Sequence, residues 1–405
     1  MAQQLLTISD ITNEGLLVLE NELTFTKHIR RDYDDRFGDA GAKIGDTLNI
    51  RKPPRFLSTR GQSLQLQDAV ETSVPLVLST QYQQAFSFTS KDLKLSVDDF
   101  SERFVHPAIV PLANAIDYDG MQLFSVVYNE VGTPGTVPTT LLTYLQANQK
   151  LNDASVPMDD WSIVVSPKMQ VYIVDALKGV FNPQAKIAGQ YEKGMMGKDT
   201  AGFNWYMTQN CPTFTTGTQG GTPIVSAANQ TGSSITSSGW TASTKVLNKG
   251  DIVSFAGCYA VNYVGKQTLS DLAQWVCTSD VTSDSGGLAT IKIAGPDGAG
   301  IITSGATQNA SASPTNSGAI TVQGASAVTS SRGLAFHKSF AAFGCADLPL
   351  PGGVDMAARK TDDQLGMSLR LIRAYDINTD RWPTRIDLLG GWAPLYQQFA
   401  VRVAA

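Results

Sequence analysis

The sequence predicts an α+β protein with a large core and a separate β-rich domain inserted into it. Two periodicities occur in different stretches: apolar and polar residues alternate at 74–88, whereas apolar residues recur at helical spacing between 97 and 131. In addition, 200–244 and 298–331 contain no charged residue, and they flank a segment with its own strand pattern. We therefore expect helices and sheets in one parent fold, interrupted by a β-domain.

Size and charge limit the classes of function. A chain of 405 residues is about two to three ordinary domains long and can bury a large core. Hydrophobic residues make up 42% and charged residues 17%, which is typical of a globular protein with an uncharged polar surface. The 31 basic and 36 acidic residues give a net charge of -5, which argues against a broad surface that neutralises phosphates. Any contact with nucleic acid is expected to be non-specific.

The sequence gives no sign of secretion, of a membrane or of disulfide bonds. Acidic residues recur in the first 25 residues, so no secretory signal is expected, and no run of 18 apolar residues occurs that could span a membrane. The cysteines lie far apart without C-x-x-C spacing, and we expect buried free thiols in a reducing cytoplasm. These are Cys211, Cys258, Cys277 and Cys345.

The first 90 residues predict an arm and a long hairpin. Helical spacing with charges between the leucines indicates a helical arm within 5–37. Alternation at 44–51 and again at 74–88 predicts the two strands of the hairpin. The segment 52–73 between them is too polar to form a core, and an isolated two-stranded hairpin is marginal in water. We expect the hairpin to lie on a neighbouring subunit.

A long helix should follow. Its period extends over 97–131, but Pro107 and Pro111 each cost about 3 kcal/mol in an unbroken helix, which predicts a kink or a fresh start. A short helix at 141–151 and a buried strand at 161–167 come next. The strand leads into a helix at 169–180, whose apolar side is expected to contain Val171, Val174, Ala176 and Leu177.

The middle and the end of the chain predict mainly strands. Segments 250–261, 273–281 and 288–295 have strand patterns, and we interpret 215–333 as an inserted β-domain with pliable linkers; the alternative is that it belongs to the main sheet. The parent pattern resumes at 335. Paired strands are expected at 366–375 and 385–389, and a last strand at 396–403.

Catalytic chemistry is not expected. The usual nucleophile, phosphate-loop and zinc motifs are absent, and three histidines leave little for a metal cluster or a His-based triad. His28, His106 and His337 are expected to be structural or solvated. Asp159 and Asp160 are adjacent acids before a strand, which more often cap a turn than catalyse. We predict that the chain is not an enzyme and holds no cofactor or metal.

One cluster of cations lies in the predicted hairpin. It is either a solvated loop tip or a set of side chains that pair with acids of an adjacent subunit and set the register of assembly. The residues predicted to contact a neighbouring subunit are Arg51, Lys52, Arg55, Arg60, Phe56 and Leu57.

The order of motifs is informative. A strand that ends in Ser-Pro is followed by a helix, a glycine loop, a G-F-x-x-Y strand and N-x-P; later come F-H-K-x-x-F, an S-L-R strand and G-W-x-x-L. This order resembles the major capsid proteins of tailed bacteriophages. The matching residues are Val164, Val165, Ser166, Pro167, Gly197, Lys198, Gly202, Phe203, Tyr206, Asn210, Pro212, Phe336, His337, Lys338, Phe340, Ser368, Leu369, Arg370, Asp387, Gly390, Trp392 and Leu395.

The resemblance implies the Hong Kong ninety-seven type of capsid fold. The inserted domain, with G-D-x-[VI]-x-F at 250–255 and D-S-G-G at 284–287, looks like that of short-tailed phage coat proteins. Self-cross-linking through Lys52 is not expected, because no partner asparagine or acid is identifiable. The implied domains are an N-terminal arm at 1–43, the hairpin loop at 44–90, a spine helix and peripheral domain at 91–135, a first axial part at 136–214, the insertion at 215–333 and closing strands at 334–405.

The implied function is structural. Many copies would form pentamers and hexamers and close an icosahedral virion shell on a scaffolding protein and a portal ring in the host cytoplasm; the resulting procapsid would later expand around packaged double-stranded DNA. Three alternatives remain open at this point: a compartment shell protein of the same fold, a β-rich virion surface or tail protein, and an enzyme with a degenerate site.

Overall fold

A computed structural model describes residues 8–31, 47–58, 60–62, 64–89, 106–177, 196, 200–362 and 366–405. By its internal contacts the chain divides into two compact units. The first unit comprises Met1–Ile50, Ser73–Gly120 and Ala341–Ala393. The second comprises Arg51–Thr72, Met121–Phe340 and Pro394–Ala405.

The described residues form α-helices, short 3-10 helices and many strands, which confirms the predicted α+β class. The helices are α1 (Ile8–Glu22), α2 (His106–Met121), α3 (Leu141–Asp153) and α4 (Pro167–Leu177), with 3-10 turns at Thr26–His28, Gln122–Val126, Pro296–Gly298, Lys338–Phe340 and Gln397–Phe399. The strands are β1 (Thr47–Lys52), β2 (Thr72–Val77), β3 (Thr80–Thr89), β4 (Glu130–Val131), β5 (Trp161–Val165), β6 (Asn204–Met207), β7 (Thr213–Thr215), β8 (Gly221–Val225), β9 (Ser234–Trp240), β10 (Lys245–Leu247), β11 (Ile252–Val261), β12 (Thr268–Cys277), β13 (Val281–Thr282), β14 (Ala289–Ala294), β15 (Ile320–Val322), β16 (Thr329–His337), β17 (Ala341–Ala346), β18 (Met356–Asp362), β19 (Met367–Arg373), β20 (Arg381–Pro394) and β21 (Ala400–Ala404).

The first unit is built on a five-stranded sheet. Strands β17, β20, β19 and β18 lie in that order, and β3 pairs antiparallel with β20 from Thr80 to Thr89. Helix α1 packs against β18 and β19 and buries Leu16 and Leu19, as the predicted arm periodicity requires. Helix α2 begins at His106, so Pro107 occupies the first turn, where a missing N–H costs nothing. Pro111 lies inside the helix.

The predicted hairpin is wrong in one respect. Strands β1 and β2 do pair, but the alternating segment 74–88 is divided between β2 and β3, and β3 pairs with β20 instead of continuing the hairpin. Alternation specifies which face of a strand is buried and leaves its partner open. The ten-residue register with β20 provides that partner.

The main sheet of the second unit has the order β4, β21, β16, β5, β6, and β7 also pairs with β16. Strand β16 is antiparallel to both β21 and β5, whereas β5 and β6 are parallel. Every residue of β5 is buried, and all of them except Ser162 are apolar, as expected of a strand that is covered on both faces. The core beside the main sheet includes Tyr144 of α3, and the centre of its ring lies 4.9 Å from that of Trp205.

The strands between 221 and 322 form a sheet of their own, in the order β15, β11, β12, β14, β9, β8, with β10 and β13 as a separate pair. Trp275, Phe255 and Ile291 are fully buried in its core. These strands lie in the region where the insertion is expected, and they belong to the same compact unit as the main sheet. The edges of the inserted domain stay a prediction.

The buried face of α4 agrees only in part with the predicted apolar side. Val174 packs against the main core cluster, whereas Val171 is 67% exposed. Met169 and Ile173, which were not among the predicted residues, are fully buried. The helix starts at Pro167, and residues four apart share a face, so the pair 169 and 173 determines the orientation. The side chain of Leu177 lies outside the described part of the structure.

Candidate assembly and anchoring sites

The Ser-Pro motif joins a buried strand to a helix. Pro167 is the first residue of α4, and the Ser166 hydroxyl accepts a hydrogen bond from the Met169 N–H at 3.3 Å. Together they cap the helix start with a side-chain acceptor and a fixed φ.

The glycine loop also has a steric explanation. Gly202 has φ +81°, and a Cβ there would lie 2.5 Å from the amide nitrogen of Asn148. Phe203 is 1% exposed and its ring lies 5.8 Å from that of Trp161. Pro212 is buried and its carbonyl accepts the Arg332 N–H at 2.8 Å. Gly197 lies outside the described residues.

The closing G-W motif forms the aromatic core of the first unit. A Cβ on Gly390 would lie 2.5 Å from the Phe343 ring, so glycine is needed there. The Trp392 ring lies 4.7 Å from that of Phe343 and 5.9 Å from that of Phe25. Its Nε1–H donates to the Tyr82 hydroxyl at 3.3 Å.

The cations of the loop between β1 and β2 are distributed differently from the prediction. Arg51 is exposed and lies 3.8 Å from Glu71, and Arg60 is exposed. Lys52 is only 6% exposed and Arg55 is half-buried. Both pair with Asp297 of the same chain, so these two are neither solvated nor available for a neighbour's carboxylates. Sequence could not show this, because Asp297 is 245 residues from Lys52.

We call this group the Asp297 cluster: Asp297, Lys52, Arg55, Tyr263 and Gln398. The Lys52 Nζ lies 3.0 Å from Asp297 Oδ1, while Arg55 and the Tyr263 hydroxyl donate to Oδ2. The Gln398 amide donates to the Tyr263 oxygen at 2.8 Å and to Asp297 Oδ1 at 3.3 Å. One carboxylate therefore receives two cations, a phenol and an amide.

Burial lowers the pKa of two cations at or near this cluster. Burial lowers the pKa of Arg55 to about 10, although the guanidinium remains charged at neutral pH. Burial and the nearby Arg55 charge lower the pKa of Lys266 to about 8. The cluster is thus a low-dielectric site, where charge pairing is stronger than on an open surface.

Beyond the anchored base, the loop presents an apolar strip. Phe56 is 58% exposed, Leu64 84%, Leu66 88% and Val70 70%, whereas Leu57 is half-buried. The described residues between β1 and β2 belong to no strand. The side chain of Gln67 bridges the loop by two hydrogen bonds to the Leu57 main chain, at 2.7 and 2.6 Å. We refer to Phe56, Leu64, Leu66 and Val70 as the loop strip.

A buried charge cluster in the second unit was missed by the sequence reasoning. The Glu130 carboxylate lies 3.2 Å from Arg332 and 3.7 Å from Arg402, and all three residues are at most 3% exposed. The Arg402 guanidinium also donates to the Gly250 carbonyl at 2.7 Å, and the Gln274 side chain bonds both main-chain groups of Glu130. Because β4, β16 and β21 meet the β11–β12 region here, the cluster ties the main sheet to the inserted sheet.

Asp251 extends this cluster. One of its oxygens accepts the main-chain N–H groups of Gly217 and Asn248, at 3.0 and 2.7 Å. Its other oxygen is buried without a hydrogen-bond partner. Burial raises the pKa of Asp251 to about 6, with the nearby Glu130 charge acting in the same direction. Burial likewise lowers the pKa of Arg402 to about 10, against the effect of Glu130.

Two carboxylates organise the first unit. Asp117 on α2 is 2% exposed and accepts four hydrogen bonds from 24–26, the segment that follows the arm helix. Asp387 is fully buried, binds Arg370 through two bonds of 2.9 and 2.7 Å, and accepts from Gln81 at 2.7 Å. Arg370 and Asp387 are both motif residues, but neither contact was predicted from the sequence.

Other reactive groups are structural where they are described. All four cysteines are buried, as expected, and burial raises the pKa of Cys258 to about 11. Burial also lowers the pKa of His337, whose Nδ1 accepts the Ser339 N–H at 3.2 Å. Across the described ranges, no three His, Cys, Asp or Glu side chains group as a metal site requires. Among the described helices, none is long and apolar enough to cross a membrane.

Several of the solved structures that are similar to this chain come from phages. A chain from Mycobacterium phage Che8 is 11% identical, covers 94% of this chain and 90% of its own, and has a TM-score of 0.48. A capsid chain of cyanophage P-SCSP1u is 11% identical with 90% and 84% covered and a TM-score of 0.43. The mature capsid of bacteriophage PhiM1 gives 12%, with 91% and 83% covered and a TM-score of 0.42. No curated protein matches the chain.

The sequence itself decides the family. Residues 1–396 match the family described as "P22 coat protein - gene protein 5". This match confirms the predicted resemblance to phage capsid proteins and favours it over the compartment-shell, tail-protein and enzyme alternatives. The family is a structural one. The chain therefore belongs to the P22 coat protein family and is a major capsid protein, which self-assembles with further copies into the shell of a phage.

Proposed function

We propose that copies of this chain form pentamers and hexamers that close an icosahedral shell, and that the loop between β1 and β2 of each copy lies on a neighbouring copy. The loop strip supports this proposal. Four apolar side chains, each more than half exposed, lie within 56–70 on a segment that belongs to no strand, and this concentration of exposed apolar side chains in one loop supports an interaction surface. A coat protein meets identical copies in its shell, so a second copy is the natural occupant.

The structure changes the chemistry expected of that contact. Since Lys52 and Arg55 are paired within the chain, the part of the loop left for a neighbour is mainly apolar. Of the predicted contact residues, Arg51, Arg60 and Phe56 remain exposed. We therefore propose an apolar contact through the loop strip, with Arg51 and Arg60 at its rim.

Further partners follow from the coat-protein role. We propose assembly in the host cytoplasm on a scaffolding protein and a portal ring, and expansion of the procapsid around double-stranded DNA. The net charge of -5 argues against a broad phosphate-neutralising surface, so we propose that any contact with the DNA is non-specific. The same proposal includes the Hong Kong ninety-seven type fold, the six domains given above and a non-catalytic role.

The test is a double substitution in the loop strip, Leu64→Ser with Leu66→Ser. Both side chains are more than 80% exposed, so the folding free energy of the subunit should change by no more than about 0.5 kcal/mol per site. Shell yield, measured by velocity sedimentation and negative-stain electron microscopy with and without scaffolding protein, should fall about tenfold or more. Gln65→Ser, in the same exposed segment, is the matched control and should assemble normally. Wild-type yields from the double variant would contradict the proposal.

A further inference from the structure

We propose that Asp297 is a positioning residue for shell assembly. It holds the base of the β1–β2 loop within the unassembled subunit, and so determines the direction in which the loop strip leaves the molecule before any neighbour is met. The inference rests on the proposed function of the loop. The inference assigns a role in assembly to the sheet region at 221–322, to which Asp297 belongs.

Asp297 contacts the base of the loop at two residues. Lys52 is the last residue of β1 and contacts one oxygen of Asp297 at 3.0 Å, while Arg55 contacts the other oxygen. Two contacts, three residues apart, restrain the direction of the chain as well as its position. A single contact would leave the segment free to rotate about it.

Aromatic rings support both cations. The Arg55 guanidinium lies over the Tyr263 ring at 3.7 Å, and Lys52 Nζ lies over the Tyr396 ring at 4.9 Å. The side chain of Lys52 is 7% exposed and that of Arg55 is 24% exposed. A cation over an aromatic face is more strongly attracted when it is desolvated, so these contacts strengthen the hold on both cations.

The carboxylate is itself fixed in place. Asp297 has φ 55°, a left-handed conformation in which aspartate is one of the few tolerated residues. Its N–H donates to the Gln398 side chain at 3.2 Å, and the same side chain returns a bond to its carboxylate. Because the Asp297 carboxylate is already fixed, it does not have to reorganise when the two ion pairs form. The ion pairs therefore restrain the loop.

A loop that is ordered before assembly reduces the free-energy cost of association between subunits. Ordering side chains and loops at an interface reduces affinity, and pre-organising them before association recovers part of that loss. The described residues from 53 to 71 belong to no strand, so the loop lacks a ladder to order it. The Asp297 cluster provides that order at the base, during folding instead of during assembly.

The first experiment measures the hold in the unassembled, full-length subunit. Trypsin cleaves after Arg55 only when the guanidinium leaves Asp297 and enters the protease's specificity pocket. Arg60 is exposed in the same loop and is an internal control. In Asp297→Asn, the ratio of cleavage after Arg55 to cleavage after Arg60, measured by mass spectrometry, should rise about tenfold over wild type. An unchanged ratio would overturn the proposal.

Two further variants make the result specific. Asp280→Asn removes an exposed ion pair with Lys245 in the same sheet region, and should leave the ratio unchanged. Tyr263→Phe keeps the ring beneath Arg55 and removes the hydroxyl that donates to Asp297, and should raise the ratio by a smaller factor. If Asp297→Asn fails to fold, Tyr263→Phe provides the same test, and an unchanged ratio there also counts against the hold.

The second experiment separates this inference from the proposed function. Asp297→Asn subunits that fold with the urea midpoint of Asp280→Asn should assemble at least several-fold more slowly, or into irregular shells. If Arg55 is released but assembly is unchanged, Asp297 is not a positioning residue. If the loop-strip variant assembles normally, the proposed function of the loop fails, whatever the trypsin ratio shows.

Discussion

Replacing Asp117 by asparagine should release the segment that follows the arm helix. The carboxylate lies on α2 and accepts four hydrogen bonds from the segment 24–26. Oδ2 accepts the N–H groups of Thr24 at 2.5 Å and Phe25 at 3.1 Å. Oδ1 accepts the N–H and the hydroxyl of Thr26, at 2.9 and 2.5 Å. All four donors meet one buried side chain, so the substitution acts on them together.

Asparagine offers one oxygen and one NH2 group in the same shape. If the NH2 of Asp117→Asn replaces Oδ2, the N–H groups of Thr24 and Phe25 lose their acceptor. If it replaces Oδ1, the Thr26 N–H loses its acceptor, whereas the Thr26 hydroxyl can turn and accept from the NH2. Either orientation leaves at least one buried donor without a partner, which costs about 1–3 kcal/mol, so the first unit should lose at least about that much stability. Thr26→Val removes only the hydroxyl contact and should cost about 1 kcal/mol.

The assay combines urea unfolding of the unassembled subunit with amide hydrogen exchange. Exchange of the Thr24, Phe25 and Thr26 amides reports the segment directly, even where the two units unfold separately. In Asp117→Asn these amides should exchange at least tenfold faster than in wild type, whereas β5 amides should be unaffected. Wild-type exchange at 24–26, or a stability loss below that of Thr26→Val, would refute the reasoning.

Two further predictions concern the aromatic core and the buried acid. Gly120→Ala places a Cβ 2.6 Å from the Trp392 ring, and urea unfolding should show a loss of about 1–3 kcal/mol; Gly352→Ala, with nothing within 4 Å, is the control and should stay within about 0.5 kcal/mol. The pKa of Asp251 is raised from 3.8 to about 6, so the folded state binds the proton more tightly and stability falls as pH rises from about 4 to 6. Asp251→Asn should remove that dependence, so the variant gains about 2 kcal/mol on wild type between about pH 4.5 and 7 in urea titrations; a pH-independent difference would contradict this assignment.

The sequence predicted most of the local elements, because each depends on neighbours along the chain. The apolar run of β5, the start of α2 at the proline and the paired strands β19 and β20 follow from periodicity and from the limits that proline sets. The buried side of α4 was predicted only in part. Val174 packs against the main core cluster, but helical spacing did not single out Met169 and Ile173, and only the packing in that core shows that they are buried.

The candidate sites were less predictable than the elements. The loop cations were visible as a cluster, but Asp297 has no local signal that it would bind them. Glu130 is a single acid at the start of the two-residue strand β4, and its arginines follow more than 200 residues later. Such contacts depend on long-range chain crossings, so neither spacing nor composition reveals them. Arg370 and Asp387 were both identified as motif residues, but their contact was not predicted either.

By itself, the sequence determined the α+β class, the extended loop, a strand-rich region near 215–333 and membership of a coat-protein family, because composition, periodicity and motif order are properties of the linear chain. Only the tertiary structure decided that β3 joins β20, that Lys52 and Arg55 are bound within the chain and that the loop strip is left exposed. The physical reason is that a charge or an apolar side chain has no fixed role until folding determines which partners remove it from water.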